Sequence, residues 1–335
     1  MTSAFRIIII GGSIAGLTLA HCLDQAGIDY IVLEKHQNIH PEVGGLIAVL
    51  PNGACILHQL GLHNALVAES ESLNASHIGF PNGTSLRHEW PAHLEQTYGL
   101  PLSVVSRQEV LRLLYTRLKA KSRVLIDQRV SSILTGESGV SVRTVDGANY
   151  HGDLVVGADG VHSITRWEMW RAIAEKNVEN ITENDQSVQM SPNIGQGANL
   201  AIESAAALSN TLNRLLKDAR TEKPTETEIK TALDAFTTNY FGRVRAINLV
   251  SQAVLRMHAR DGCLMTIFGM IILRSRYLTE ILVSSIIAGG VQLDYIPLAI
   301  QPKRGDQVKH ALKLAAFLIS SLLLYLFDIN VVERL

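Results

Sequence analysis

Gly11, Ser13 and Gly16, followed by Glu34, are the first residues in the chain whose types and spacing could do chemistry. They fall on the positions of the pattern G-x-G-x-x-G and of the acid that follows it, with serine in place of the middle glycine. A loop of this kind opens a helix whose free N–H groups face a pyrophosphate, while the acid accepts hydrogen bonds from a ribose. Gly11 permits the sharp turn, and Gly16 permits a close approach of helix and strand. Ser13 carries a Cβ that obstructs the backbone slightly, and Gly12 beside it restores some freedom. The chemistry implied is the binding of a dinucleotide.

Two later clusters fit the same chemistry. Ser106 can cap a helix whose third position is Glu109, which puts Arg107 in the first turn. A cation there is unfavourable unless an anion is near, so Arg107 reads as a phosphate or flavin contact; a solvated arginine fits the pattern equally well. The run Gly157-Ala158-Asp159-Gly160 is a turn at the carboxyl edge of a strand, where open α/β sheets bind ligands. Further on, Pro192, Gly195 and Gly197 prevent regular structure up to about Ala198. A helix then follows through Ala201, Ala205, Leu208, Leu212 and Leu215. Gly197, Ala198 and Asn199 thus form a second cradle at a helix start, for an anion or a ring edge.

These residues need a sheet to position them. Ile7 to Ile10 read as a strand buried on both faces, a helix runs from Ser13 to Gly27, and Tyr30 to Leu33 form a second strand, so the opening is a βαβ unit. LIAVLPNGACILHQLG reads as a short strand, a Pro-Asn-Gly turn and a helix ending at Gly61. Residues 76–101 read as an inserted hairpin. A helix with apolar stripe Val110, Leu111, Leu114 and Leu118 follows Ser106, and residues 123–156 alternate as strands, ending in the buried strand Leu154 to Val156. His36 and His40 stand four apart, but Pro41 argues against a helix that would present them to a metal.

The chain has 335 residues, 47% of them hydrophobic, enough for two domains and a large core. Its net charge of −1 argues against a general affinity for nucleic acid. Cys22, Cys55 and Cys263 form no C-x-x-C pair, which suggests a reducing compartment rather than disulfides or zinc. The apolar N-terminal run holds the fingerprint, so it reads as a first strand and not as a signal peptide.

Taken in order, GGSIAGL with Glu34, SRQEVL, GADGVHS and DQSVQMSPNIGQGAN resemble the flavin-dependent aromatic-hydroxylase-like monooxygenases. Among these they are most similar to the fungal branch that epoxidises prenyl chains in meroterpenoid and indole-diterpene biosynthesis. The resemblance implies FAD as cofactor and NADPH as co-substrate, with Glu34 on the adenosine ribose and Arg107 on the flavin side. It further implies Asp185 at the ribityl chain and Gly197 to Asn199 beside the isoalloxazine. Ala48 stands where the family commonly has glycine near the cofactor, Asn184 replaces the glycine before Asp185, and Val188 replaces a frequent histidine. Only fourteen residues separate Trp170 from Asp185, where the family places a mixed sheet covering the flavin. Five strands with their loops need roughly 50 residues.

The fold expected is therefore an α/β, Rossmann-like FAD-binding domain with a parallel sheet, a reduced substrate-domain insertion and a helical C-terminal region. Its parts would be residues 1–75, an inserted hairpin at 76–101, the remaining FAD-binding parts at 102–220 with the truncated insertion at 171–184, and helices at 225–300. The first functional reading is a monooxygenase acting on a lipophilic prenylated intermediate, in which flavin chemistry leaves no need for a protein nucleophile. The second is a catalytically impaired FAD-binding remnant. A plain NAD-dependent dehydrogenase would explain the βαβ unit but not the later motifs.

The C-terminal part holds three apolar runs. Residues 262–273 and 281–293 are short and suit buried helices, whereas 311–327 is at the lower limit for a membrane span, within a candidate helix at 308–327. Lys303, Arg304 and Lys309 precede that run, Lys313 stands near its start, and only Arg334 follows it. This asymmetry predicts a single-pass protein of the endoplasmic reticulum membrane with its flavin domain facing the cytosol.

Overall fold

Ile7, Ile8 and Ile9 are fully buried because β1 (Arg6–Ile10) is central in a parallel sheet covered on both faces. The coordinates are a computed structural model, describing residues 5–79, 83–136, 139–160, 194–218, 223–259 and 261–300. After β1 come α1 (Ile14–Ala26), β2 (Asp29–Leu33), β3 (Leu46–Val49), α2 (Pro51–Gln59), α3 (His63–Ala68) and β4 (Glu71–Ser72). Next are β5 (Ser76–Gly79), β6 (Ser85–His88), α4 (Trp90–Tyr98), β7 (Ser103–Ser106) and α5 (Arg107–Arg117). Then follow β8 (Val124–Leu125), β9 (Val130–Gly136), β10 (Gly139–Thr144), β11 (Asn149–Gly152) and β12 (Leu154–Gly157). The remaining described helices are α6 (Gln196–Asp218), α7 (Glu226–Ala259), α8 (Gly262–Arg274) and α9 (Arg276–Ile287).

The parallel sheet has the order β12-β1-β2-β8, with Ile8 in register with Val155 on one side and Ile31 on the other. Because side chains alternate along a strand, Ile7 and Ile9 face α1 and α6, while Ile8 and Ile10 pack with Val130 and Val142 of the antiparallel β9-β10-β11 meander. This meander lies so close that a Cβ on Gly152 would meet Ile8 Cγ1 at 2.9 Å. The result is three layers, of helices, parallel sheet and meander, which is the α/β architecture expected from the fingerprint. A separate sheet, β3-β7-β4, stands beside it and carries the junction between β7 and α5.

Several local expectations change. Pro51-Asn52-Gly53 is not a turn but the first turn of α2, because proline is preorganised at a first helical position and its missing N–H would be unpaired there anyway. Only the first half of 76–101 is a hairpin; α4 follows it, burying Pro91, Leu94 and Tyr98, and Gly99 closes it in the left-handed region. Strand β12 is half-buried rather than buried, since it is the edge of the described sheet. Helix α6 begins at Gln196, so Gly197 lies in its first turn instead of before it.

The C-terminal helices build a second core around Leu200, Val250, Met257, Met265 and Ile286. Helix α7 starts with a reciprocal cap, in which Thr225 N donates to Glu228 and Glu228 N donates to Thr225 Oγ1. Helix α8 is less buried than its composition suggests. Gly269 lets it lean on Met257, but Ile267, Phe268, Met270 and Ile271 are exposed. No helix among the described residues is long and apolar enough to cross a membrane. The insertion at 171–184 and the candidate helix at 308–327 lie outside the described residues.

Candidate functional site

The fingerprint loop is held where the parallel strands end. Gly11 N donates to Leu33 O at 2.9 Å, and Ala158 N donates to Ile10 O at 2.7 Å. Gly11 has φ +107°, and a Cβ on it would lie 2.5 Å from Ala158 O and 2.9 Å from Asp159 N. The turn 157–160 therefore presses on the fingerprint, which places Asp159 beside it. Gly16 is still more constrained, since its Cβ would come within 1.9 Å of Gly11 O.

Glu34 follows β2 directly and is buried. Its Oε2 accepts from Gly12 N at 2.6 Å and its Oε1 from His36 N at 2.9 Å, so the acid is seated against the loop with its two oxygens fixed by backbone donors. Ser13 is the N-cap of α1, yet its side chain makes no capping bond and the first turn of the helix carries no acid. The first-turn N–H groups, with the positive end of the helix dipole, are thus left for an anion.

Ser13 Oγ instead accepts from Arg107 Nη2 at 2.9 Å. Arg107 is brought there by three features. Ser106 caps α5 by accepting from Glu109 N at 3.1 Å, as its sequence predicts. Arg107 N donates to Gly45 O at 3.1 Å, continuing the β3–β7 pairing in which Leu46 faces Ser106. Gly44, at φ +117°, clears the way, because a Cβ there would lie 2.8 Å from Arg107 Cδ. Helix α5 is itself tied to α1 through His21, whose Nε2 meets Leu114 O at 2.8 Å; burial holds this imidazole below its ordinary pKa. Two helix N-termini and a half-buried guanidinium converge on one loop, an arrangement that an anion would complete.

Along β3 the strip continues to Ala48, against which Gly195 packs with φ +64°. Asn199 is fully buried and fully engaged. Its Nδ2 donates to Ala48 O and Gly195 O, both at 2.9 Å, and its Oδ1 accepts from Leu50 N at 3.0 Å. Its side chain therefore clamps β3 to the glycine loop rather than pointing into a ligand space. Gly197 and Ala198 occupy the first turn of α6 beside it. Asp185 lies outside the described residues.

The structure thus brings Gly11, Ser13, Gly16, Glu34, Arg107 and Asp159 together, and β3 links them to Ala48 and Gly197 to Asn199. An acid at one end, helix N–H groups with an arginine in the middle, and a glycine-rich helix start at the other match ribose, pyrophosphate and ring of a dinucleotide. Gln196 Nε2, a buried donor without a partner among the described residues, adds unfilled polar capacity at the ring end. The residues present fit FAD. Sequence reasoning missed Val43 to Gly45 and Gln196. Only the Gly44-Gly45 doublet before an apolar strand could have pointed to the first.

Comparison with known proteins agrees. Residues 4–180 match the model of the FAD binding domain family. The chain is 31% identical to the FAD-dependent monooxygenase aurC of Calcarisporium arbuscula, covering 88% of this chain and 86% of that protein. It is 32% identical to the FAD-dependent monooxygenase janM of Penicillium janthinellum, covering 91% and 88%. The aurC alignment runs over 420 positions although this chain has 335 residues, so that relative carries residues with no counterpart here. In fold it is similar to HpxO of Klebsiella pneumoniae, solved with FAD and uric acid, with a TM-score of 0.66 and 18% identity over 88% of this chain and 98% of that one. From the fingerprint, the arginine beside it and these likenesses together, the chain belongs to the FAD-dependent monooxygenases, an enzyme family built on the FAD binding domain.

Proposed function

We propose that this protein uses FAD, NADPH and O₂ to oxygenate a hydrophobic, prenylated secondary-metabolite intermediate by epoxidation or hydroxylation. The observation that carries this is the single strip from Glu34 through Ser13 and Arg107 to Gly195 and Asn199. FAD, when bound, supplies electron transfer from NADPH and the chemistry of oxygen insertion. The chain supplies the rest. The N–H groups of α1 and the Arg107 guanidinium neutralise the pyrophosphate, and Glu34 accepts from the ribose. By the resemblance, Asp185 would touch the ribityl chain. Asn199 orients the ring cradle by holding Ala48 and Gly195. The test is turnover: NADPH oxidation in air should require FAD and respond to a prenylated indole or polyketide substrate, and a protein indifferent to every such compound would contradict it.

Glu34→Ala should weaken FAD binding by about 1.5–3 kcal/mol, because it removes hydrogen bonds to a charged acceptor. Titration of the purified variant with FAD measures this, and an unchanged Kd would remove Glu34 from the site.

A second reading, an FAD-binding remnant with impaired catalysis, is favoured by one observation, the fourteen residues between Trp170 and Asp185. The two readings share the cofactor and differ in what happens to the electrons.

We also infer membrane association through 308–327, with the flavin domain on the cytosolic face of the endoplasmic reticulum. Support comes from the apolar run 311–327, the three cations before it with Lys313 near its start, and the exposed apolar side chains of α8. Full-length protein should sediment with membranes, and a chain ending at Gln307 should do so less. If both remain in the high-speed supernatant, this inference fails.

A further inference from the structure

Arg243, halfway along α7, is far in sequence from every residue of the flavin strip, yet a line of part-buried and buried hydrogen bonds joins it to the ring end. Its guanidinium grips Glu203 of α6 with two bonds, Nε to Oε2 at 2.7 Å and Nη2 to Oε1 at 2.9 Å. Glu203 is fully buried. Its Oε1 also accepts from Asn52 Nδ2 at 2.5 Å, and Asn52 Nδ2 reaches Gln196 Oε1 at 3.0 Å. Gln196 is the first residue of α6 and immediately precedes Gly197. On its other side Arg243 donates from Nη1 to Ala288 O at 2.7 Å and from Nη2 to Ile286 O at 3.1 Å, and so caps the carboxyl end of α9. Gly290, just beyond, presses on Asn52, since a Cβ there would meet Asn52 Cβ at 3.0 Å.

A bidentate ion pair at this depth carries a large desolvation cost, and its geometry is directional in a way that apolar packing is not. Apolar side chains of similar volume would hold α6 and α7 together about as well. What they could not do is fix the rotamer of Asn52, and through it that of Gln196. At the end of the line Asn52 Oδ1 and Gln196 Nε2 are both buried and have no partner among the described residues. Asn199, one turn further along α6, clamps the same β3–α2 junction from its other side through Ala48 O and Leu50 N. The ring cradle is therefore oriented by two amide side chains. One is set locally, and the other is set from α7.

We propose that Arg243 is a positioning residue for the flavin ring: through Glu203 and Asn52 it sets the orientation of Gln196 at the start of α6, and it couples that setting to the end of α9. The proposal rests on the reading that Gly195 to Asn199 flank the ring. Arg243 would act through these residues and not by its own contact with the ring.

The test uses the full-length chain with Arg243→Lys, Arg243→Met and the double variant Glu203→Leu with Arg243→Met. Three quantities are measured: the FAD Kd, the visible absorption and circular dichroism of the bound flavin, and the melting temperature without cofactor. Arg243→Met leaves the Glu203 charge buried and unpaired, so it should lower the melting temperature and raise the FAD Kd at least tenfold. Arg243→Lys should shift the flavin spectrum and raise the Kd about threefold while melting near the wild type. The double variant removes both charges and should recover most of the melting temperature, yet keep the altered flavin spectrum and weakened binding, because Asn52 has lost its acceptor. A double variant that melts like the wild type and also binds FAD with the wild-type spectrum and Kd would overturn the proposal, leaving a purely structural ion pair. Wild-type protein that binds FAD with Gln196 and Asn199 distant from the ring would overturn instead the reading on which it rests.

Discussion

Gly16→Ala should lose FAD binding by roughly a hundredfold or more, because its added Cβ would make the shortest contact of any glycine among the described residues. The added Cβ would stand 1.9 Å from Gly11 O and 3.3 Å from Ile9 Cγ2. Neither neighbour can yield easily. Gly11 is fixed by its left-handed backbone and by its contact with Ala158, and Ile9 is sealed in the centre of the sheet. The start of α1 must therefore lift away from β1, which displaces the N–H groups that face the pyrophosphate. Overpacking of this kind costs about 1–3 kcal/mol, and a clash with backbone belongs at the upper end. A displacement worth about 2.7 kcal/mol to the cofactor is a hundredfold in Kd. Gly27→Ala is the control. Gly27 also has a positive φ, +71°, but open space around it, so alanine there should cost about 1–2 kcal/mol of stability and leave the affinity for FAD nearly unchanged. Melting curves and FAD titration of the two variants separate strain from site damage.

Most of the electrons taken from NADPH should end in hydrogen peroxide rather than in product. Between Trp170 and Asp185, where the family resemblance implies a covering sheet, the chain has fourteen residues, and the aurC relative carries residues with no counterpart here. A flavin site without that cover admits water and releases reduced oxygen before it can be transferred. The measurement is a balance sheet of NADPH consumed, peroxide formed and oxygenated product formed with a prenylated substrate. Peroxide should account for the greater part. Product formed one-to-one with NADPH would show that another part of the protein covers the flavin, and would return the first functional reading to full strength.

The βαβ unit and its site residues were legible because local geometry dictates them. Four β-branched residues in a row, a glycine loop and an acid after the second strand have few other uses, and each stands in the structure where its type requires. The Ser106 cap was legible for the same reason, being a bond between residues three apart. What failed was punctuation. Pro51 and Gly53 look like a turn, but proline at a first helical position and a glycine packed against Asn199 are equally good reasons for those residues, and the second involves a partner far along the chain. Gly99 reads as a turn, which draws Trp90 to Tyr98 into the hairpin, whereas it closes a helix. The Arg243–Glu203–Asn52–Gln196 line was invisible for a deeper reason. Its members are 40, 151 and 144 residues apart in successive pairs, and polar partners at such separations leave no periodic trace. The exposed side chains of α8 likewise look the same in sequence as buried ones.

The strip from Glu34 to Asn199 should hold one FAD. Titration of the purified full-length protein with FAD and with NAD, followed by flavin fluorescence and absorption, tests it most directly. One FAD per chain, yellow protein after gel filtration, no comparable uptake of NAD as resident cofactor, and binding lost in Gly16→Ala are the expected results. A folded, colourless protein that takes up no FAD would contradict it.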